Sequence, residues 1–266
     1  PHRYGMAVGS GFVVSADGYV VTNNHVVKDA DTVNLRFQNG DAMDAKVIGT
    51  DPKTDLALLK VEAGKPLPFV NLSKTEARVG DWVMAVGNPF GLGGTVTAGI
   101  VSARGRDIGS GPYDDYLQID ASINKGNSGG PASNLVGDVI GVNTAIFSPS
   151  GGSVGIGFAI PASIVSDVVD SLKTNGSVTR GWLGVQIQPV TPDLAEGLGL
   201  DKAQGAVVAD VTQDSPGLKA GLKQGDTILK VNGQDITDAR DLALTVSRVK
   251  PGTTMPVEIV RDGKAM

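Results

Sequence analysis

The chain has 266 residues, enough for one large or two ordinary domains, and 41% of them are apolar while 19% are charged. A net charge of −5, with Lys and Arg scattered along the chain, argues against a surface for nucleic acid or anionic membranes. No apolar run approaches the roughly 20 residues that span a bilayer, and the first residues show no charged-then-apolar signal segment. The absence of cysteine excludes disulfides and thiolate metal sites.

The first part of the chain, from residue 8 to about residue 61, alternates short apolar runs with turn residues. This pattern predicts about six antiparallel strands, the size of one barrel. Pro66 and Pro68 lie in the connection to a second predicted set of strands, which would form a second barrel. That set comprises residues 82–86, 95–102, 116–119, 138–147 and 154–160.

Residues 161–174 carry apolar side chains at helical spacing, with Pro161 suited to the first turn and Asn175-Gly176 to the end. We place a domain boundary after this helix, which divides the chain into residues 1–177 and 178–266. The second domain is predicted to contain strands at 183–187 and 207–211 and a helix at 238–249. Residues 261–266 predict a hairpin turn without its return strand, so this domain is expected to lack its last strand.

The segment Gly126-Asn127-Ser128-Gly129-Gly130-Pro131 is the strongest candidate for chemistry. Its glycines allow a sharp turn that exposes the Ser128 hydroxyl and directs the N–H groups of Gly126 and Ser128 into one hollow. Such a hollow suits the oxyanion of a tetrahedral intermediate. Taken alone, the segment equally predicts an ordinary loop between strands.

A serine hydroxyl needs a base to take its proton, and the usual base is a histidine oriented by a carboxylate. The chain has two histidines: His2 lies near the N-terminus, and His25 follows an apolar strand-like run. Asp55 precedes a strongly apolar strand. Each alone predicts a structural role, as a half-buried histidine or a turn aspartate, but the order His, Asp, Ser together predicts a catalytic triad.

Four segments resemble the HtrA/Deg family of serine proteases. They are Thr22-Asn23-Asn24-His25-Val26-Val27, Thr54-Asp55-Leu56-Ala57-Leu58-Leu59, Val86-Gly87-Asn88-Pro89-Phe90-Gly91 and the serine segment. The resemblance implies a mostly β fold, a two-barrel trypsin-like protease followed by an α+β domain, with the site in the cleft between the barrels. It implies Ser128 as nucleophile, His25 as base and Asp55 as its orienting carboxylate. The oxyanion hole would be formed by the N–H groups of Gly126, Asn127 and Ser128.

The same resemblance implies how substrate is held. Thr144, Ala145 and Ile146 would pair with the substrate backbone, and Ile123 and Ile156 would line the primary pocket. Since these positions carry no carboxylate, we expect cleavage after a small or medium apolar residue. Residues 104–113 form a polar loop, and the resemblance implies that its Arg106 relays activation.

Residues 215–233 resemble the PDZ signature, and Trp182, Leu183, Gly184 and Val185 would form the loop that holds a peptide C-terminus. The resemblance implies a periplasmic endopeptidase that acts on unfolded or misfolded envelope proteins and assembles from trimers. No P-loop is present, so no ATP is expected, nor is any other cofactor. Two alternatives remain open: a regulatory protease that cuts one signalling protein, and a chaperone-like binding protein with secondary protease activity.

Overall fold

The computed structural model describes residues 9–88 and 92–266, so His2 and the predicted motif's Pro89, Phe90 and Gly91 lie outside the described residues. The chain forms two compact units, Pro1–Val178 and Thr179–Met266. Strands predominate over helices, and the prediction of a mostly β fold is confirmed.

The first sheet is antiparallel and contains five strands rather than the predicted six. Its strand order is β1-β2-β5-β4-β3, and the short helix α1 follows β2. Strand β4 is ten residues long and shifts register between Val47 and Gly49. A bulge of this kind bends the strand, and β4 pairs with β3 on one side and with β5 on the other. The elements are β1 (Phe12–Val13), β2 (Tyr19–Asn23), α1 (Asn24–Val27), β3 (Thr32–Arg36), β4 (Ala42–Asp51) and β5 (Leu56–Val61).

The second set of strands closes into a barrel in the order β10-β11-β8-β7-β6-β9. Strand β9 begins at Pro131, the last residue of the serine segment, and was not predicted because it is only three residues long. Its pairing partners β6 and β10 define it. The elements are β6 (Trp82–Gly87), β7 (Thr95–Arg106), β8 (Tyr116–Ile119), β9 (Pro131–Ser133), β10 (Val139–Ile146) and β11 (Gly157–Pro161).

Helix α2 (Ala162–Asn175) joins the two sheets of the first unit. Gly176 ends it with a φ of 69° and donates its N–H to the Leu172 carbonyl at 2.9 Å. The buried side chains of Val165, Val168 and Leu172 share one apolar cluster with residues of both sheets, including Leu58 and Val142. The helix therefore fixes the two sheets against each other, and with them the residues at their facing ends.

The second unit is a sheet in the order β12-β13-β14-β16-β17, with β15 paired to β14. Leu242 and Val246 of helix α5 are buried in its core. The chain end differs from the prediction, because β17 is a two-residue return strand that pairs with β16. Asp262 and Gly263 both have positive φ, which permits them to form the tight turn between β16 and β17. The elements are β12 (Val185–Pro189), α3 (Pro192–Gly197), β13 (Ala206–Val211), α4 (Pro216–Lys219), β14 (Thr227–Val231), β15 (Gln234–Asp235), α5 (Ala239–Ser247), β16 (Val257–Arg261) and β17 (Lys264–Ala265).

Candidate active site

His25 and Asp55 lie at the same end of the first sheet. His25 is in α1, directly after β2, and Asp55 immediately precedes β5, the strand that pairs with β2. Asp55 Oδ2 lies 2.6 Å from His25 Nδ1, and Asp55 Oδ1 accepts the backbone N–H of His25 at 2.8 Å. The carboxylate therefore holds the ring at Nδ1 and leaves Nε2 as the nitrogen that can accept a proton.

Asp55 has a left-handed backbone, with a φ of 57°. This conformation is uncommon outside glycine, although Asp tolerates it better than most residues. Hydrogen bonds stabilise it, because the Asp55 carbonyl accepts the Asn24 N–H at 3.0 Å and Asn23 Nδ2 at 2.8 Å. The turn therefore points the Asp55 side chain at His25 by fixing its main chain.

The hydrogen bond to Asp55 raises the pKa of His25 above its ordinary value. Partial burial acts in the opposite direction, and the charge of Asp55 reinforces the rise. About half of the ring remains exposed, with 49% of the side-chain surface accessible. His25 is thus open to a substrate and basic enough to accept a proton.

The turn that carries Ser128 requires glycine at position 129. Gly129 has a φ of 87°, and a Cβ there would lie 2.2 Å from the Ser10 carbonyl oxygen and 2.3 Å from Thr22 Oγ1. Neither distance is possible for a real side chain. The Gly129 N–H also donates to the Asn143 carbonyl at 2.8 Å. Residues 126–131, the nucleophile segment, therefore lie directly against the end of the first sheet.

Two of the three expected oxyanion donors have available N–H groups. Within the described residues, the N–H groups of Gly126 and Ser128 have no hydrogen-bond acceptor. The Asn127 N–H, by contrast, donates to the Asn124 carbonyl at 3.0 Å. The expectation that Asn127 contributes its N–H to the oxyanion hole is corrected on this ground.

Within the described residues, no hydrogen bond joins Ser128 and His25. The Ser128 hydroxyl donates instead to the Thr144 carbonyl, at 3.4 Å. Asn23 connects the two sheets, because its Nδ2 donates both to the Asp55 carbonyl at 2.8 Å and to Thr144 Oγ1 at 3.0 Å. Hydrogen bonds between catalytic groups are commonly long without substrate, so the missing Ser128–His25 hydrogen bond is compatible with a nucleophile and base pair.

Comparison with known proteins places this geometry in a family. A family model of the trypsin-like peptidase domain matches residues 9–142, and one of the PDZ domain matches residues 181–266. The HtrA-type protease AlgW, solved with a tripeptide, is 46% identical with a TM-score of 0.90, over 98% of this chain and 87% of that one. The chain belongs to the HtrA-type serine proteases. The family predicted from the sequence is therefore confirmed.

Two further similar proteins are named as serine endoproteases. The serine endoprotease from Yersinia pestis is 38% identical with a TM-score of 0.75, over 98% of this chain and 86% of that one. A protein of Rhizobium meliloti (strain 1021), named a probable periplasmic serine endoprotease DegP-like, is 60% identical over 97% of this chain. The match covers 52% of that protein, so the chain spans about half the length of the curated relatives it matches.

Ile123 and Ile156, expected in the primary pocket, and Ile146, expected in the strand that pairs with substrate, lie around Gly157. Ile146 on β10 pairs with Gly157 on the neighbouring strand β11, Ile156 precedes Gly157, and a Cβ on Gly157 would lie 3.0 Å from Ile123 Cγ1. Ile123 is buried, while Ile146 and Ile156 are half-buried. Apolar side chains therefore surround Gly157 at the start of β11.

Residues Thr144, Ala145 and Ile146 lie at the end of β10. Ala145 and Ile146 pair with β11, and Thr144 falls in a register shift. On the other side of β10, pairing to β9 ends at Val142. In the described residues the far edge of this stretch is thus open to a further strand.

Arg106 lies at the end of strand β7 rather than in a loop, which corrects the predicted loop 104–113. It is paired with Tyr116, and its Nε donates to Gln118 Oε1 at 2.9 Å. The segment that follows is fixed by buried Asp114, whose carboxylate accepts the N–H groups of Ile108 at 3.0 Å and Ser110 at 2.9 Å. Glycine content alone overstated the freedom of this segment.

The loop from Trp182 to Val185 leads into β12, which is an edge strand of the PDZ sheet. Its carbonyl groups are engaged, because Leu183 accepts the Gly217 N–H at 2.7 Å and Gly184 accepts the Thr212 N–H at 2.8 Å. Gly184 has a φ of 75°, and a Cβ there would lie 2.2 Å from the Ser215 Cβ. The positive φ of Gly184 and these two hydrogen bonds therefore fix the backbone conformation of the loop.

Two residues with contacts in the site were missed from the sequence. Ser10 binds the nucleophile segment, and Asn23 connects Asp55 to Thr144. The small residues around Ser10 and the position of Asn23 just before His25 were the only signals. Among the described residues, no helix is long and apolar enough to cross a bilayer. No group of three or more metal-ligating side chains occurs within residues 9–88 and 92–266.

Proposed function

We propose that this HtrA-type chain is a serine endopeptidase in which Ser128 is the nucleophile, His25 the general base and Asp55 the residue that orients His25. The observation that carries the proposal is the double contact of the Asp55 carboxylate with the ring and the N–H of His25. Ser128 Oγ attacks the scissile carbonyl, and Nε2 of His25 takes the hydroxyl proton. His25 then returns the proton to the leaving amine.

The N–H groups of Gly126 and Ser128 stabilise the developing oxyanion. This role is supported because both N–H groups lack an acceptor in the described residues, whereas the N–H of Asn127 between them donates to the Asn124 carbonyl. Donors already in position cost no reorganisation when the charge forms, and losing one typically lowers the rate by about 10²–10³.

The substrate backbone adds to the open edge of residues 144–146, and the side chain before the cut enters the wall formed by Ile123, Ile146 and Ile156. Since no carboxylate lies among these residues, a small or medium apolar side chain is preferred over Lys or Arg. An apolar pocket separates side chains that differ by one methylene by only about 10- to 200-fold, so we expect a graded preference.

The PDZ domain binds C-terminal peptides. A peptide would add as a strand to the edge of β12, with its carboxylate held by N–H groups of the loop from Trp182 to Val185. The related AlgW has been solved with a tripeptide and with a decapeptide. We further propose that peptide occupancy regulates turnover, with Arg106 as the relay.

The relatives named periplasmic support a location in the periplasm, where this ATP-independent enzyme would degrade unfolded or misfolded envelope proteins as a trimer or a multiple of trimers. Casein digestion by the wild-type chain and by Ser128→Ala tests the enzyme. We expect the variant to keep its fold and lose about 10⁴-fold or more in rate.

Casein digestion by Ser128→Ala at the parental rate would contradict the assignment of Ser128 as the nucleophile. A panel of unfolded substrates separates quality control from cleavage of one signalling protein. Suppression of substrate aggregation by both proteins, with negligible cleavage, would favour the chaperone-like alternative. Mass-resolved sizing reports the oligomer.

A further inference from the structure

Ser10 connects the first sheet to the nucleophile segment. Its N–H donates to the Ser128 carbonyl at 2.8 Å, and its hydroxyl donates to the Gly126 carbonyl at 2.6 Å. Its own carbonyl accepts the Thr22 hydroxyl at 2.7 Å, which ties Ser10 to strand β2. One half-buried residue thus binds the main chain on both sides of Asn127.

The Ser10 hydroxyl completes the anchoring of the peptide group between Gly126 and Asn127. The carbonyl of this group accepts from Ser10 Oγ, and its N–H donates to the Asn124 carbonyl at 3.0 Å. The two oxyanion donors proposed above, the N–H groups of Gly126 and Ser128, flank this peptide group. If the peptide group turned, the spacing between those donors would change.

The same hydroxyl also accepts a hydrogen bond. The Asn88 N–H donates to Ser10 Oγ at 2.9 Å, and Asn88 Oδ1 accepts the Gly93 N–H at 2.7 Å. Since Asn88 follows strand β6, the hydroxyl lies between the barrel and the nucleophile segment. Both its donor and its acceptor capacity are used, which fixes the direction of the proton.

We infer that Ser10 is a positioning residue for the oxyanion hole: its hydroxyl holds the Gly126–Asn127 peptide group so that the N–H groups of Gly126 and Ser128 converge. The inference rests on the proposed function. Ser10 touches neither substrate nor the reacting atoms. Its effect should therefore appear in the binding of a tetrahedral species and be small in the binding of the substrate ground state.

Ser10→Ala removes the hydroxyl, and Ser10→Thr keeps it. Ser73→Ala is a matched control, because the Ser73 hydroxyl also joins a backbone carbonyl and a backbone N–H, both of Thr75, at an exposed position. Each protein is assayed with a short chromogenic peptide. Binding is then compared for a peptide aldehyde, which forms a tetrahedral adduct with the serine hydroxyl, and for the matching peptide alcohol, which cannot.

We expect Ser10→Ala to lower kcat by about 10- to 100-fold, less than the loss of a whole oxyanion donor. Its affinity for the aldehyde should fall by the same factor, while KM and the affinity for the alcohol change less than about twofold. Ser73→Ala should match the wild type, and Ser10→Thr should recover most of the activity. Thermal melting confirms that each variant is folded.

Three results would overturn the inference: undiminished aldehyde affinity in Ser10→Ala, an equal loss for aldehyde and alcohol, or a folded Ser10→Thr protein as impaired as Ser10→Ala. Failure of the proposed function looks different. In that case the wild-type chain itself would bind the aldehyde no more tightly than the alcohol and would leave the chromogenic peptide uncut.

Discussion

The ring of His25 is half exposed, so its protonation depends on Asp55 more than on burial. Since the pair favours the charged ring, the folded-state pKa lies above the ordinary value of 6.5. The raised pKa of His25 gives stability and activity opposite dependences on pH. Stability from the pair is fully present below the unfolded pKa and is lost as pH rises through the folded pKa. Activity has the opposite dependence, because the base must be neutral.

We therefore predict that kcat/KM rises with pH through a midpoint above 6.5, as the raised pKa of His25 requires. The chain has only two histidines, so a His2→Gln variant gives a single imidazole signal for an NMR titration. Asp55→Asn should move that signal's midpoint downward and strongly reduce activity. An activity profile that peaks near pH 4 would instead indicate a carboxylate mechanism.

The contact between His25 and Asp55 could be predicted from the sequence because each residue lies in a local segment with its own signal, as does Ser128. Ser10 and Asn23 could not, since their roles depend on hydrogen bonds to residues more than one hundred positions away, 116 for Ser10 to Gly126 and 121 for Asn23 to Thr144. Side-chain to main-chain contacts of this range leave no trace in periodicity. Asn127 was misassigned for a different, local reason, because the turn that pairs its N–H with the nearby Asn124 carbonyl is visible only in the folded structure.

Elements with a strong local pattern were predicted closely. Strand β8 has the predicted bounds, and α2 is displaced by one residue at each end. Strand β9 and the end of β7 depend on neighbours instead. Gly105, with a φ of 65°, suggested a loop, yet pairing across a register shift keeps Arg106 in the strand. Glycine marks backbone freedom, but partner strands decide how it is used.

In the PDZ unit, an ion pair joins Arg261, the last residue of β16, to buried Asp226, which directly precedes β14. Arg261 Nε donates to Asp226 Oδ1 at 2.6 Å, and its second nitrogen contacts Oδ2 at 2.7 Å and the Gly221 carbonyl at 2.8 Å. Burial alone would raise the pKa of Asp226, but the hydrogen bonds from Arg261 and from the Lys223 N–H outweigh it and keep the pKa low. Asp226 is 1% exposed.

Asp226→Asn should destabilise the PDZ unit by about 1–3 kcal/mol, because buried hydrogen-bond donors lose their charged partner. Hydrogen exchange in a Ser128→Ala background reports each unit separately and prevents self-digestion. The exposed pair of Lys230 and Asp235, 3.5 Å apart, provides the control, and Asp235→Asn should have little effect. Since the pKa of Asp226 is lowered, its contribution is present above its unfolded pKa and lost as pH falls through the folded value. Equal protection in both variants would contradict this role.

At the scale of the whole molecule, the PDZ domain and the active site are proposed to be coupled. A peptide can shift an activity equilibrium only through different affinities for the two states. Typical coupling of about 1–3 kcal/mol corresponds to roughly 5- to 150-fold in the active fraction. Arg106→Ala loses the bond to Gln118 and should therefore blunt peptide stimulation while leaving peptide binding nearly unchanged.

Calorimetry measures the binding, and a short chromogenic substrate measures the stimulation. Arg104→Ala is the matched control, because this neighbouring arginine is paired with Glu76 instead. Full stimulation of the Arg106→Ala protein would leave simple tethering of substrate as the explanation. Equal loss in both variants would point to a general effect of charge.

Helix α2 is the last element of the protease unit to emerge during synthesis, yet its Leu172 is fully buried between strands that emerge earlier. His25, Asp55 and Ser128 all leave the ribosome before it. Until the helix docks, the two sheets are joined only by direct contacts such as those of Ser10 and Asn23, so the positions of Ser128 and His25 relative to each other are less firmly fixed. Proteolysis by the proposed site should therefore develop fully only after the helix docks, when the chain itself is no longer an unfolded substrate.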